Sequence, residues 1–256
     1  MSGAQIQLLA APSPRPVPGI DLRCCDVAEV LADVRGARLI HADPPWLYDI
    51  DGVRLGKSVS PSRGGAVLYA QDDNAAIAAA VDAAFDAATD GARLALWCTF
   101  PKLAEWMSVS ACLRWRYVSG GAWGKVAGEH GSCGVGYHWR GRAEVLLLYV
   151  KGSPPTDRQV HLSNHHVAPT TEHSEKPMGW QRTMLQSWTA PNDLVLDLYA
   201  GLAPMARACA LEGRRYVGAE IDPERHRMAL DRLARAVAEG EDFARARPSL
   251  FGGVGR

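Results

Sequence analysis

Ala37-Arg38-Leu39-Ile40-His41-Ala42-Asp43-Pro44-Pro45-Trp46 is the stretch whose reading decides the fold. A short apolar run that ends in an acidic residue and two prolines predicts a buried parallel strand opening into a rigid loop. Ligands of open α/β sheets bind at that end of a strand.

The tetrapeptide Asp43-Pro44-Pro45-Trp46 has the chemistry needed for methyl transfer to an exocyclic amino group. Such a nitrogen is a poor nucleophile because its lone pair is delocalised into the ring. Two fixed acceptors, the Asp43 carboxylate and the Pro44 carbonyl, would hold its two hydrogens and turn the lone pair outward. Pro45 would stiffen the loop. Trp46 would offer a flat face to an unstacked base, an interaction of roughly 1–3 kcal/mol. Preorganisation supplies the rate in such a scheme, so no general-base histidine is required. A Pro-Pro turn with an ordinary capping Asp is the plainer alternative, and the surrounding sequence decides between them.

At 256 residues the chain suits one α/β domain with insertions. It reads as a flexible tail over 1–19, a single domain over 20–240 and a second flexible tail over 241–256. No apolar run reaches about 18 residues, so no membrane span is expected. The opening residues lack the pattern of a signal peptide. Six cysteines without Cys-x-x-Cys spacing, two of them the adjacent pair Cys24 and Cys25, point to a reduced cytoplasmic protein and to no metal site. The net charge of zero argues against an unspecific nucleic-acid coat. Local patches remain: Lys102, Arg114, Arg116, Lys125, Arg140 and Arg142 face only Glu105 and Glu129 between 102 and 142, and Arg54, Lys57 and Arg63 follow the central motif.

Working outward, Ile20 to Asp26 predicts a strand and Val27 to Val34 a short helix. Asp26 then stands near Asp43 at one edge of the sheet, able to accept from a cofactor amino group or to cap the helix. The loop 47–69, rich in Gly and Ser, reads as a lid over a flipped base, with Tyr48, Lys57, Arg63 and Tyr69 as candidate substrate contacts. Asp72 to Asp90 predicts a helix, Arg93 to Cys98 a buried strand, and Tyr117 to Trp123 and Ala143 to Val150 two more. Trp106, Met107 and Trp115 read as core. The glycine-dense loop 124–142 carries Lys125, Tyr137, Trp139 and Arg140, the mixture of cations and rings used on unstacked nucleic acid. His161, His165 and His166 lack metal spacing and read as surface loop residues. A helix follows Pro177. Leu194 to Asp197, the bend at Gly201, the helix from Pro204 and the strand Arg215 to Glu220 form a βαβ unit. Its closing carboxylate, Glu220, lies about twenty positions past the bend, a spacing that suits ribose hydroxyls.

These motifs, in this order, resemble the amino-methyltransferases that use S-adenosylmethionine, with the catalytic motif ahead of the cofactor motif. The nearest likeness is to the MT-A70-like adenine methyltransferases. It rests on Cys24-Cys25-Asp26, Asp43-Pro44-Pro45-Trp46, Tyr69, Leu96-Trp97, Trp123-Gly124-Lys125 and Gly134 to Tyr137 leading to Glu144. From His173 onward the chain is similar to the β-class DNA methyltransferases, through His173 to Pro177 and Asp197 to Ala203.

The resemblance implies a Rossmann-like α/β methyltransferase fold, a mostly parallel sheet with helices on both faces and one antiparallel edge strand. It implies that Asp43, Pro44, Pro45 and Trp46 hold a target adenine, and that Cys25, Asp26, Asp43, Lys176, Asp197, Tyr199, Gly201 and Glu220 surround S-adenosylmethionine. Ala203 departs from the second glycine of the family's Gly-x-Gly element, and its methyl group is expected to crowd the cofactor. The expected reaction is transfer to adenine N6 in DNA, by a protein alone or as a homo- or heterodimer. Transfer to RNA adenine, transfer to cytosine N4, and a catalytically inactive nucleic-acid-binding subunit stay open as alternatives.

Overall fold

The elements follow one another along the chain as β1 (Ile20–Arg23), α1 (Val27–Asp33), β2 (Ala37–Ala42), β3 (Asp49–Ile50), β4 (Val53–Arg54), α2 (Asn74–Ala87), β5 (Ala88–Cys98), α3 (Phe100–Ser110), β6 (Arg116–Val126), β7 (Ala143–Val150), β8 (His165–Pro169), α4 (Met178–Trp188), β9 (Leu194–Asp197), α5 (Pro204–Glu212), β10 (Arg215–Ala219) and α6 (Pro223–Ala238). The structure is a computed structural model that describes residues 16–46, 49–50, 53–54, 74–126, 142–155, 162–169 and 175–238. Apart from the small ribbon of β3 and β4, the expected lid 47–69 lies outside the described residues. So do 127–141 of the substrate loop, residues 1–15 and 239–256, and with them Tyr48, Lys57, Arg63, Tyr69, Tyr137 and Arg140.

Eight strands form one sheet in the order β1-β10-β9-β2-β5-β7-β6-β8. The run Leu39 to Ala42 lies in the middle of it, parallel to β5 on one side and β9 on the other. Alternation divides its side chains between the two faces, as a period of two requires. Ile40 and Ala42 join the core under α1, α2 and α3, with Val30, Ile77, Val81 and Trp106. Leu39 joins the core under α4, α5 and α6, with Met184, Met205 and Ala229.

One expectation needs correcting. The antiparallel strand is β7, and it is interior, between β5 and β6, rather than at an edge. The edge beyond it is β8, parallel to β6, so His165 and His166 belong to a strand and not to a loop. Polar, alternately exposed β8 lacks the apolar run by which a buried strand is recognised. It is ordered by its pairing with β6 and by His166, which stacks on Trp180 with ring centroids 5.6 Å apart. Burial there lowers the pKa of His166.

Helix starts follow local chemistry. Asp26 caps α1 by accepting from the Ala28 N–H at 2.8 Å, while Glu29 reaches back to the Asp26 N–H, a reciprocal capping box. Asp222 opens α6 by accepting from the backbone N–H groups of Glu224 and Arg225.

Candidate active site

Sheet topology decides where a ligand can bind. The connection leaving β9 runs through α5 to β10, and the one leaving β2 runs the other way, through α2 to β5. The crevice between the C-terminal ends of β9 and β2 is therefore the topological switch point. A cleft of about 630 Å³ opens there, lined by residues that follow β1, β2, β9 and β10: Cys25 and Asp26, Asp43 to Pro45, Leu198 to Leu202, and Glu220 to Pro223. Asp26 and Asp43 share this cleft without being neighbours. β10 and β9 lie between their strands, so three inter-strand steps, roughly 14 Å, separate the two ends.

Asp43 is held from across the cleft. Lys176 Nζ donates to Asp43 Oδ2 at 2.6 Å and lies 3.0 Å from Glu144 Oε2, and Glu144 is paired in turn with Lys125. The two ammonium groups rest on aromatic rings, Lys176 on Trp97 at 5.2 Å and Lys125 on Trp123 at 4.8 Å. Burial pushes the Glu144 carboxyl up, but Lys176 and Lys125 outweigh it and hold the group below the ordinary range. For Lys176, burial lowers and the two carboxylates raise, with a net rise. Lys125, expected to contact substrate, is instead mostly buried in this network, with 13% side-chain exposure. The patch expected between 102 and 142 is further reduced: Arg114 binds Asp82 and Asp86, and Lys102 binds Glu105.

Beneath the floor runs a second polar chain that the sequence reading missed. His41 Nδ1 is 2.9 Å from Asp197 Oδ1, the Tyr216 hydroxyl donates to Asp197 Oδ2 at 3.1 Å, and Trp97 Nε1–H donates to His41 Nε2 at 3.0 Å. That last bond leaves the Nδ1 of a neutral His41 as the protonated nitrogen, donating to Asp197. Asp197 is fully buried and does not line the cleft, so its expected contact with cofactor is corrected to a supporting one. His41 itself reaches the cleft wall. A signal existed in the sequence, since His41 is two residues before Asp43 and shares its side of the strand.

Two further expectations change. Trp46 is 5% exposed; its indole N–H donates to the Trp97 carbonyl at 3.1 Å and its ring meets Trp106 edge-on at 5.5 Å. It anchors the Pro-Pro loop to the core and presents no open face to a base. Its backbone N–H also donates to the Pro44 carbonyl at 2.9 Å, which tightens the turn and leaves one lone pair of that oxygen for a ligand. Ala203 does adopt the left-handed backbone that glycine favours, with φ of 52°, but it is wholly buried and its methyl group packs into the core under α5. Leu202 and Pro204 line the cleft in its place. The methyl group expected to crowd a cofactor therefore sits in the core and not on the cleft wall.

The other cofactor candidates do gather at the cleft. Gly201, with φ of 57°, turns the chain after β9, and Tyr199, Lys176, Cys25 and Asp26 all contribute to the wall. Glu220 accepts from the Asp222 N–H at 2.9 Å. Burial raises its pKa, against the opposing pull of that bond and of Arg225. Burial also raises the pKa of the Cys25 thiol. Among the described residues, no three His, Cys, Asp or Glu side chains are grouped as a metal site, and no helix is long and apolar enough to cross a membrane.

An eight-stranded, mostly parallel sheet with helices on both faces and its cleft at this switch point defines the class: the fold is that of S-adenosylmethionine-dependent methyltransferases. Solved structures that share it include the following three. M1.HpyAVI in complex with SAM superposes with a TM-score of 0.61 at 17% identity, over 84% of this chain and 98% of that one. TTHA0409 from Thermus thermophilus, a putative DNA modification methylase complexed with S-adenosyl-L-methionine, gives 0.63 at 20% identity, over 85% and 94%. The cytosine-N4-specific PvuII DNA methyltransferase gives 0.62 at 10% identity, over 88% and 96%. In sequence, residues 122–231 match the family described as DNA methylase. The putative methylase YubD of Escherichia coli (strain K12) is 38% identical over 117 residues, covering 41% of this chain. The chain spans about half the length of that curated relative, 48%.

Proposed function

We propose that the protein transfers a methyl group from S-adenosylmethionine to the N6 amino group of adenine in DNA. The observation that carries this reading is the Asp43-Pro44-Pro45 turn at the switch-point cleft, in one cavity with Asp26, Tyr199, Gly201 and Glu220. The cleft fits the cofactor by its chemistry. Glu220 directly follows β10 as a buried carboxylate suited to ribose hydroxyls, Asp26 offers an acceptor for an adenine amino group, and the bend at Gly201 brings backbone to the wall. The methylase family match and the SAM complexes among the structural relatives support the same assignment.

Bound there, S-adenosylmethionine supplies an electrophilic methyl group. The protein supplies orientation. Asp43 and the Pro44 carbonyl accept the two hydrogens of the target amino group and aim its lone pair at the methyl carbon. Lys176 fixes the Asp43 carboxylate, so the acceptor is in place before substrate arrives. The nitrogen sheds a proton after transfer, and Asp43 is the base in contact with it. Reaching a base inside a duplex requires flipping it out, a cost of a few kcal/mol.

Transfer to cytosine N4 is the second reading, favoured by the fold shared with the PvuII enzyme and by an acceptor pair that suits either amino group. Incubation with labelled S-adenosylmethionine and unmethylated genomic DNA or total RNA, followed by nucleoside mass spectrometry, separates the readings. N6-methyladenine in DNA is the expected product. N4-methylcytosine would replace adenine with cytosine, product in RNA alone would replace DNA, and no product from folded protein would reduce it to a binding subunit.

A further inference from the structure

Glu175 stands between two cavities. On one side is the cleft, whose wall it joins. On the other, Arg207 from α5 and Arg227, Arg232 and Arg235 from α6 line a groove of about 530 Å³. Glu175 connects the two, since one of its carboxylate oxygens accepts from Arg207 at 2.5 Å and the other from Arg232.

We propose that this groove binds phosphodiester groups of the nucleic acid whose target base enters the cleft; the proposal rests on the nucleic-acid reading above. Four guanidinium groups face two carboxylates there, Asp231 and Glu175, a local surplus of two positive charges on a chain of zero net charge. Planar guanidinium groups suit the geometry of phosphate oxygens. Arg207 and Arg232 are held in place by Glu175, and the buried Arg207 Nε has no hydrogen-bond partner among the described residues. Arg227 and Arg235 are held weakly. Arg227 is 66% exposed and pairs with Asp231 at 3.2 Å, and Arg235 donates to the Asp231 carbonyl at 3.3 Å. Exposed pairs of this kind give way readily to a stronger anion. An arginine-rich helix face that merely meets water is the ordinary alternative. Against it stand the charge surplus and the link through Glu175 to the cleft.

The test is fluorescence anisotropy of labelled single- and double-stranded DNA oligonucleotides across a salt series, using the full chain and its R227A/R235A variant. Each lost phosphate contact should reduce the slope of log Kd against log salt by about 0.9 on duplex and about 0.7 on single strands. The double variant is therefore expected to lose between one and two units of slope and to bind roughly tenfold or more weakly at low salt. Its affinity for S-adenosylmethionine and its melting temperature should be unchanged, and R227K/R235K should keep the wild-type slope. If the double alanine variant melts early, R227A and R235A singly carry the same slope test. DNA bound and methylated with the wild-type slope by R227A/R235A would overturn the groove and leave the proposed function standing. Wild-type protein that binds S-adenosylmethionine but no nucleic acid would overturn both.

Discussion

Lys176 sets its ammonium 2.6 Å from Asp43 Oδ2 across 133 residues of sequence. The contact joins the start of α4 to the end of β2. It makes the candidate catalytic carboxylate part of a line of alternating charges, Asp43, Lys176, Glu144 and Lys125.

Replacing Asp43 with Asn keeps the size and removes the charge. Methyl transfer should fall by about 10²- to 10³-fold, the usual loss when one preorganised group is removed from a polar site. Lys176 keeps Glu144 as a partner, so the fold and cofactor affinity should persist. Single-turnover kinetics beside calorimetric titration of S-adenosylmethionine checks this, and parallel loss of both would refute the catalytic assignment.

Glu144 and Lys176 set the pH limits of the network. The Glu144 carboxyl sits below its ordinary value of 4.5, so its stabilising contribution is present above that pH and disappears as pH falls through the depressed value. Lys176 sits above its ordinary 10.5, so its contribution is present below that pH and disappears as pH rises through the raised value. The melting temperature of E144Q should lie below that of wild type at pH 7, with the gap closing below pH 4.5. A constant gap across this range would mean that Glu144 contributes by packing alone.

Cofactor affinity should carry the signature of Glu220. Burial raises its pKa, so the carboxylate that would accept from ribose hydroxyls protonates at a pH above the ordinary 4.5. Binding should weaken as pH falls through that raised value, and E220Q should bind more weakly at pH 7 with little dependence on pH. Equal pH profiles for the two proteins would place the ribose elsewhere.

Trp46 separates anchoring from stacking. W46F loses the buried bond to the Trp97 carbonyl, at about 0.5–1.5 kcal/mol. Thermal unfolding should show that loss, while KM for an oligonucleotide changes less than twofold. A large rise in KM with unchanged stability would restore the ring as a platform for the base.

The central strand, the capped start of α1 and the Gly201 to Glu220 unit were all legible in the chain, because each is written in neighbouring residues: an apolar run, a capping box, a bend with a helix and strand at fixed spacing. The same local patterns marked Asp26, Asp43, Gly201 and Glu220, the family resemblance added Tyr199, and folding brings those five to one cleft. Other features depend on which strands become neighbours. The inward turn of Trp46, the burial of Asp197 beneath His41, the interior place of β7 and the pairing of Lys125 and Lys176 around Glu144 belong to that group. Residues 41 and 197 are 156 positions apart and meet because β2 and β9 pair in parallel with His41 beside Asp197. Hydrophobic period and turn chemistry act over a few residues and so are encoded locally. A buried carboxylate needs donors, and which donors it finds is settled only when the sheet has closed around it.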